Sequence, residues 1–470
     1  MTIIKPSPLR RRSLLKLSGA GAASAILLSE TKPASATTAG VTAALRPAPA
    51  QAAILGAGRP KTDVLAYNGT VSGPVLRLRQ GEKFQSTMTN ALDQGTTVHW
   101  HGMRLPNAMD GVPGLTQPPI RPGGDFHYAF TPPDAGTYWY HPHDHTAHQM
   151  GRGLAGALIV EEPKPPPFDR DVVWVLQDWE FEPDGQFVPG FDTPMEAAMS
   201  GRIGSVVTIN GVVPAPVAVR AGERIRLRLI NACLARFMAL RFAGHRVRVI
   251  ALDGQPLARP FEPSGGQVII APAQRVDLQL DTTGSPGHAY PVIDDFYGNG
   301  AAYRLATLAY TKQPPRRSLA ATPVILPPNP VPQPDLCNPV RHHLTITGGM
   351  MGMGMAADGG PPAIWGIKDR HRMNDGMAPI FTIPHGRTAL ITLDNQTSFW
   401  HPMHLHGYSF TVLSRNGMRA RYPYLRDTVI LRPKDRVEIA FVADNPGDWM
   451  FHCHVIEHQA NGLMTVIRVA

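Results

Sequence analysis

The chain is poor in charge, with Asp, Glu, Lys and Arg making up only 17% of its 470 residues. It is also poor in cysteine, having only Cys233, Cys337 and Cys453. Three thiols do not build a disulfide scaffold, and sequence alone leaves open whether Cys233 and Cys337 pair or stand apart. A membrane-length apolar run is lacking too. The most apolar stretch, an Ala/Gly/Leu segment ending at Leu28, is shorter than the roughly 20 residues of a span and is diluted by Gly and Ser, so no stable membrane anchor is expected. What the chain has in quantity is glycine (45) and proline (47), a balance that favours many short strands and turns over long helices.

The net charge of +9 suggests a nucleic-acid partner until its location is considered. Arg10-Arg11-Arg12-Ser13-Leu14-Leu15-Lys16 is a twin-arginine pattern, followed by the apolar segment and an Ala34-Ser35-Ala36 cleavage signal. Residues 1–36 therefore read as a removable Tat signal, with the Tat export machinery as a partner and a periplasmic or secreted destination. Removing them takes away six bases and one acid and leaves +4, so no nucleic-acid role is expected.

The rest of the chain repeats itself. Val75-Leu76-Arg77-Leu78-Arg79, with its Gln80-Gly81-Glu82 turn, is echoed around Gly222 (Val219 to Leu229) and Gly386 (Ile383 to Leu393), at domain-sized intervals. A second echo links Thr131 to His141 with Ala443 to His452. These repeats imply antiparallel β-sandwiches, the middle copy having kept the strands without the histidines. Pro163 to Pro167 and the proline-rich stretch from Gln313 to Pro334 are linkers. The expected division is 37–162, 163–312 and 341–470, with a linker over 313–340.

Chemistry concentrates in Phe451-His452-Cys453-His454-Val455-Ile456-Glu457-His458, a thiolate between imidazoles, as in a soft redox-metal site. On a strand, Cys453 points one way and its flanking histidines the other, so one tripeptide can join two metal centres. Four His-X-His pairs, His99/His101, His141/His143, His404/His406 and His452/His454, each place two rings on one strand face. Split between the first and last domains, they suggest one cluster at the interface. Iron or zinc accepts imidazole as well, but eight imidazoles beside a separate His401, Cys453 and His458 set favour copper.

With these motifs the chain resembles the three-domain multicopper oxidases, a group that includes laccases and bacterial cuprous oxidases. The resemblance implies an all-β fold of three cupredoxin-like Greek-key β-sandwich domains. It also implies four coppers per chain. His401, Cys453 and His458 match the type 1 ligands, with His458 as the electron entry through a solvent-facing edge. His99 and His404 match type 2 ligands. His101, His141 and His454 would hold one type 3 copper, and His143, His406 and His452 the other. The implied reaction takes single electrons from a small-molecule reductant, a phenol, aromatic amine or Cu(I), and reduces dioxygen to water.

Several positions depart from the family. Where many bacterial members have an axial methionine, this chain has Leu463, with Met464 one position later as the rival. Gln459 replaces an acid that follows the last type 1 histidine. Asp110, in Met109-Asp110-Gly111, occupies the place of a family acid and is a candidate proton relay; on sequence alone it also suits an ordinary Asp-Gly turn. Met350, Met351, Met353 and Met355 form a candidate Cu(I) loop, because thioethers select Cu(I); a flexible Gly/Met loop is the alternative. His145 and His148 carry no assigned role. Two other functions share the fold, a non-enzymatic envelope protein and a copper-sequestering protein. The complete ligand set argues against the first.

Overall fold

The computed structural model describes residues 40–298, 300–349, 364–369, 372–373 and 377–470. The expected signal segment 1–36 and the candidate loop methionines Met350, Met351, Met353 and Met355 lie outside the described residues. Gly40–Ala470 forms one compact unit. Among the described residues no helix is long and apolar enough to cross a membrane.

The turn glycines expected from the repeats all adopt the left-handed conformation that glycine alone enters without strain: φ is 77° at Gly81, 76° at Gly222 and 77° at Gly386. Each reverses the chain between strands of a sandwich. In the first, Val41–Leu45, Phe84–Thr89 and Asp125–Phe130 form one sheet. Gly73–Arg79, Gly156–Glu161, Gly136–His141 and His99–His101 form the other. The second sandwich pairs a six-stranded sheet, centred on Arg224–Asn231 and Arg275–Asp281, with a five-stranded one. The third pairs a sheet built on Thr388–Asn395 and Arg436–Val442 with the ordered strands Pro379–Ile383, Met464–Val469, Gly447–Cys453, His401–Leu405 and Thr428–Leu431. The fold is all-β and cupredoxin-like.

Each sandwich closes over its own apolar cluster, around Phe84 and Trp100, around Trp174 and Leu278, and around Phe410 and Trp449. The strand Arg436–Val442 shows why: Val437, Ile439 and Phe441 are buried at alternate positions, each contributing about 1.5–3 kcal/mol by leaving water. Gly136–His141 is buried at every position, because it is packed on both faces. Tyr138 and Tyr140 enter the first core, while Trp139 meets Val173, Val175 and Ile230 of the second sandwich.

The contact between first and second sandwiches is also ionic. Arg226 and Arg228 are buried, Arg226 bonding Glu162 at 2.8 Å and Asp277 at 2.7 Å. Arg228 bonds Asp171 at 2.7 Å and the Thr137 hydroxyl at 2.8 Å. The thiols do not pair: Cys233 is buried, Cys337 is exposed, and all three cysteines are free.

Candidate metal centre

Strand register brings the histidine pairs together. His99 lies opposite His141 in the first sandwich, and His404 opposite His452 in the third. The two sheets then meet ring to ring. His99 stacks on His406 with centroids 3.9 Å apart and His101 on His404 at 3.7 Å, while His143 meets His452 edge-on at 5.3 Å and His141 meets His454 at 5.2 Å. All eight rings are buried. Burial comes first among the causes that push His101, His141, His143, His404, His406, His452 and His454 below the usual imidazole range, and neighbouring imidazoles push each of them further. Seven neutral rings therefore offer lone pairs.

The hydrogen bonds decide where those lone pairs point. His99 Nδ1 donates to the Asp110 carbonyl at 2.8 Å, His404 Nδ1 to the Asp427 carbonyl at 3.0 Å, and His141 Nδ1 to the Pro142 carbonyl at 3.0 Å. On each of these rings Nε2 is buried with no hydrogen-bond partner. His143 Nε2 and both nitrogens of His454 are likewise buried and unpartnered. Nitrogens so deprived of water and of protein donors fit a metal, and tethering the opposite nitrogen fixes the tautomer that metal binding requires. Donor atoms of His143, His406 and His452 fall within 4.8 Å of one another, as do those of His99, His404 and His406. His101, His141 and His454 pack as neighbouring rings, with centroids 5.0–5.6 Å apart.

On the opposite strand face lies the second set. Cys453 Sγ is 3.5 Å from His401 Nδ1 and 3.7 Å from His458 Nδ1, and the two Nδ1 atoms are 3.2 Å apart. Thr397 Oγ1 meets His401 Nε2 at 2.9 Å, and the Val455 amide donates to the sulfur at 3.4 Å. Two imidazoles and a thiol converging in a dry pocket make a soft trigonal donor set.

The expected solvent-facing edge of His458 is corrected here. His458 is fully buried, its Nε2 donates to the Met199 carbonyl at 2.8 Å, and Trp365 tilts over its ring with centroids 4.2 Å apart. Burial pushes its pKa down to about 4. The second sandwich thus covers the edge that sequence leaves open, and what reaches His458 is a backbone carbonyl. Beside it, Phe237, Phe296, Phe399 and Trp400 line a pocket of about 170 Å³.

The multicopper oxidase family models match residues 50–165, 170–313 and 342–470. The chain belongs to the multicopper oxidase family. It is 30% identical over 465 residues to a multicopper oxidase of Mycobacterium tuberculosis, covering 90% of this chain and 86% of that protein. It is 32% identical to a laccase of Fomitopsis schrenkii, covering 87% and 83%. Among solved structures it is similar to a multi-copper oxidase from Pseudomonas thermotolerans, with a TM-score of 0.78, 36% identity and coverage of 92% and 100%.

Within this multicopper oxidase the departures take definite places. Leu463 is fully buried in the cluster that contains Cys453, and its carbonyl accepts from the Cys453 amide at 2.9 Å. Met464 pairs in register with His452, on the histidine side, where it lines a cleft of about 410 Å³ with His143, His145, His148 and Gln459. Asp110 is fully buried, its Oδ2 accepting from His406 Nδ1 at 2.8 Å and its Oδ1 lying 3.3 Å from His99 Nδ1.

Two charged residues escaped the sequence reading. Asp427 Oδ1 lies 3.4 Å from both His101 Nε2 and His404 Nδ1, and the carboxylate forms a fully buried pair with Arg275. Burial alone would raise its pKa, but the Arg275 guanidinium and the His404 contact hold it well below the usual carboxylate range. Gly102, following His101 at φ 83°, is where the chain passes against this pair; a Cβ there would collide with Arg275 and Asp427. No local motif marks Asp427, although its position just before the strand Thr428–Leu431, the partner of His401–Leu405, is the one signal available.

Proposed function

We propose that the chain is an exported, laccase-type oxidase that couples one-electron oxidation of a small reductant to reduction of dioxygen to water. His401, Cys453 and His458 would hold the type 1 copper, and His99 and His404 the type 2 copper. His101, His141 and His454 would hold one type 3 copper, and His143, His406 and His452 the other. Copper in these sites supplies one-electron transfer and the four-electron reduction of dioxygen.

The observation that carries this reading is the set of buried, unpartnered imidazole nitrogens beside a separate Cys/His₂ set, the two joined by His452-Cys453-His454. The remaining groups have supporting roles. Asp110 braces His406 through Oδ2, while its Oδ1, buried without a hydrogen-bond partner, is the atom through which it would relay a proton. Gln459 stands at the cleft over His143 and has no acid–base chemistry to offer. Arg275 and Asp427 orient His404 and His101. The Met199 carbonyl, bonded to His458, supports electron entry from the second sandwich, and the adjoining aromatic pocket suits a phenol ring. The twin-arginine pattern and Ala34-Ser35-Ala36 support Tat export.

The test is steady-state oxygen consumption with Cu(I), a phenol and bilirubin side by side, repeated with the methionines between residues 350 and 355 replaced. Oxygen uptake with at least one reductant is expected. Copper binding without uptake for any of them would replace oxidation by sequestration, and unchanged Cu(I) oxidation in the replaced protein would remove the methionines from the reaction.

A further inference from the structure

Trp400 stands between two cavities of opposite character. On one side is the uncharged aromatic pocket of about 170 Å³. On the other is a cleft of about 480 Å³ between the second and third sandwiches, with Arg415, Arg421, Arg426 and Arg432 in its walls.

These four guanidinium groups outnumber the acids that face them. Arg415 and Arg432 share Asp435. Arg426 faces Asp253 through its buried Nη1, 3.5 Å from the carboxylate. Arg421 makes no ion pair among the described residues and lies over the Tyr422 ring at 5.4 Å. Burial first, then crowding by Arg432 and Arg426, pulls Arg415 below the usual guanidinium range despite Asp435. Alongside the charge lies apolar surface left in water: Ile269 is 48% exposed and Tyr422 38%.

We propose that this cleft binds an aromatic carboxylate. A planar ring covers Trp400, Ile269 and Tyr422, and the carboxylate receives the N–H groups of Arg421, the one guanidinium of the four with no acid partner among the described residues. Guanidinium forks match a carboxylate with two parallel hydrogen bonds. Neither half of the ligand suffices alone. An inorganic anion leaves the rings wet, and a neutral arene leaves Arg421 without an acid partner. The volume lies within the range of small-molecule sites, about 300–1,000 Å³. The smaller pocket has no charged wall, so the two cavities sort ligands by charge.

The probe is 4-methoxybenzoate, which has no phenolic hydrogen to lose, titrated calorimetrically into the copper-loaded full chain beside 4-methoxybenzamide and inorganic phosphate. The benzoate is expected to bind saturably and the amide about tenfold more weakly, the worth of one charge-assisted hydrogen bond. Arg421→Gln, at an exposed position, should weaken the benzoate about tenfold while oxygen consumption with a neutral phenol stays unchanged. Tyr422→Ser should weaken the benzoate and leave phosphate unaffected. Equal binding of acid and amide, unchanged benzoate affinity in Arg421→Gln, phosphate binding as tight as benzoate, or no saturation by about 10 mM would each overturn the assignment. Because the readout is heat of binding, its failure leaves the oxidase reading standing.

Discussion

Replacing Asp110 separates the two jobs proposed for its carboxylate. Its Oδ2 holds His406 Nδ1 at 2.8 Å in a site from which water is excluded. Asp110→Ala leaves that N–H without an acceptor, a penalty of about 1–3 kcal/mol. Loss of such a partner behind a metal-binding histidine lowers metal affinity or activity about 10–100-fold. Asp110→Asn keeps an oxygen that accepts from His406, so copper should stay in place. An amide cannot take up and release a proton, however, and loss of a general acid–base group costs about 10²–10⁴-fold in rate. The assay is copper content per chain together with oxygen consumption at saturating reductant. The expected results are normal copper and at least about 100-fold slower oxygen consumption in Asp110→Asn, with copper lost as well in Asp110→Ala. Wild-type oxygen consumption in Asp110→Asn would refute the proton role, and full copper with full activity in Asp110→Ala would refute the bracing role.

Other outcomes follow from the same geometry. Leu463→Met places a thioether beside Cys453 and should lower the type 1 potential in a redox titration; an unchanged potential would mean that Leu463 does not occupy the axial position. Arg275→Met leaves Asp427 buried and unpaired and should destabilise the fold by about 3–5 kcal/mol in chemical denaturation. Because the folded Asp427 carboxyl is held well below its unfolded value of about 3.9, that stabilisation is present above this pH and lost as pH falls through the folded value, so the gap between wild type and variant should close on acidification. Asp253 behaves oppositely: burial, reinforced by the Asp427 charge, raises it to about 6. Its contribution is present below about pH 3.9 and is lost as pH rises through 6, so the stability of wild type relative to Asp253→Asn should fall across that window.

Part of the site is encoded locally along the chain and part only by the packing of the sandwiches. The four His-X-His pairs and Cys453 were legible because strand alternation assigns a face to each residue without any tertiary knowledge. The turn glycines were legible for a similar reason, since a reversal with positive φ selects glycine wherever it occurs. Arg226 and Arg228 were harder. An alternation of apolar and basic residues describes a strand with one wet face, yet the second sandwich lays that face against the first, and both arginines end up buried with carboxylates from other strands. Asp427 and Arg275 meet only through the packing of two sandwiches, with no spacing to announce them. The cover over His458 is more remote still, because a backbone carbonyl carries no residue signature: Met199 matters here for its oxygen and not for its thioether.

The central claim, two copper centres wired through one tripeptide, is tested most directly by copper stoichiometry and visible absorption of the wild type beside Cys453→Ser. The account predicts about four coppers per chain and an intense blue colour in the wild type, with about three coppers and no blue colour in the variant. A wild-type protein that folds and binds copper yet remains colourless would contradict it.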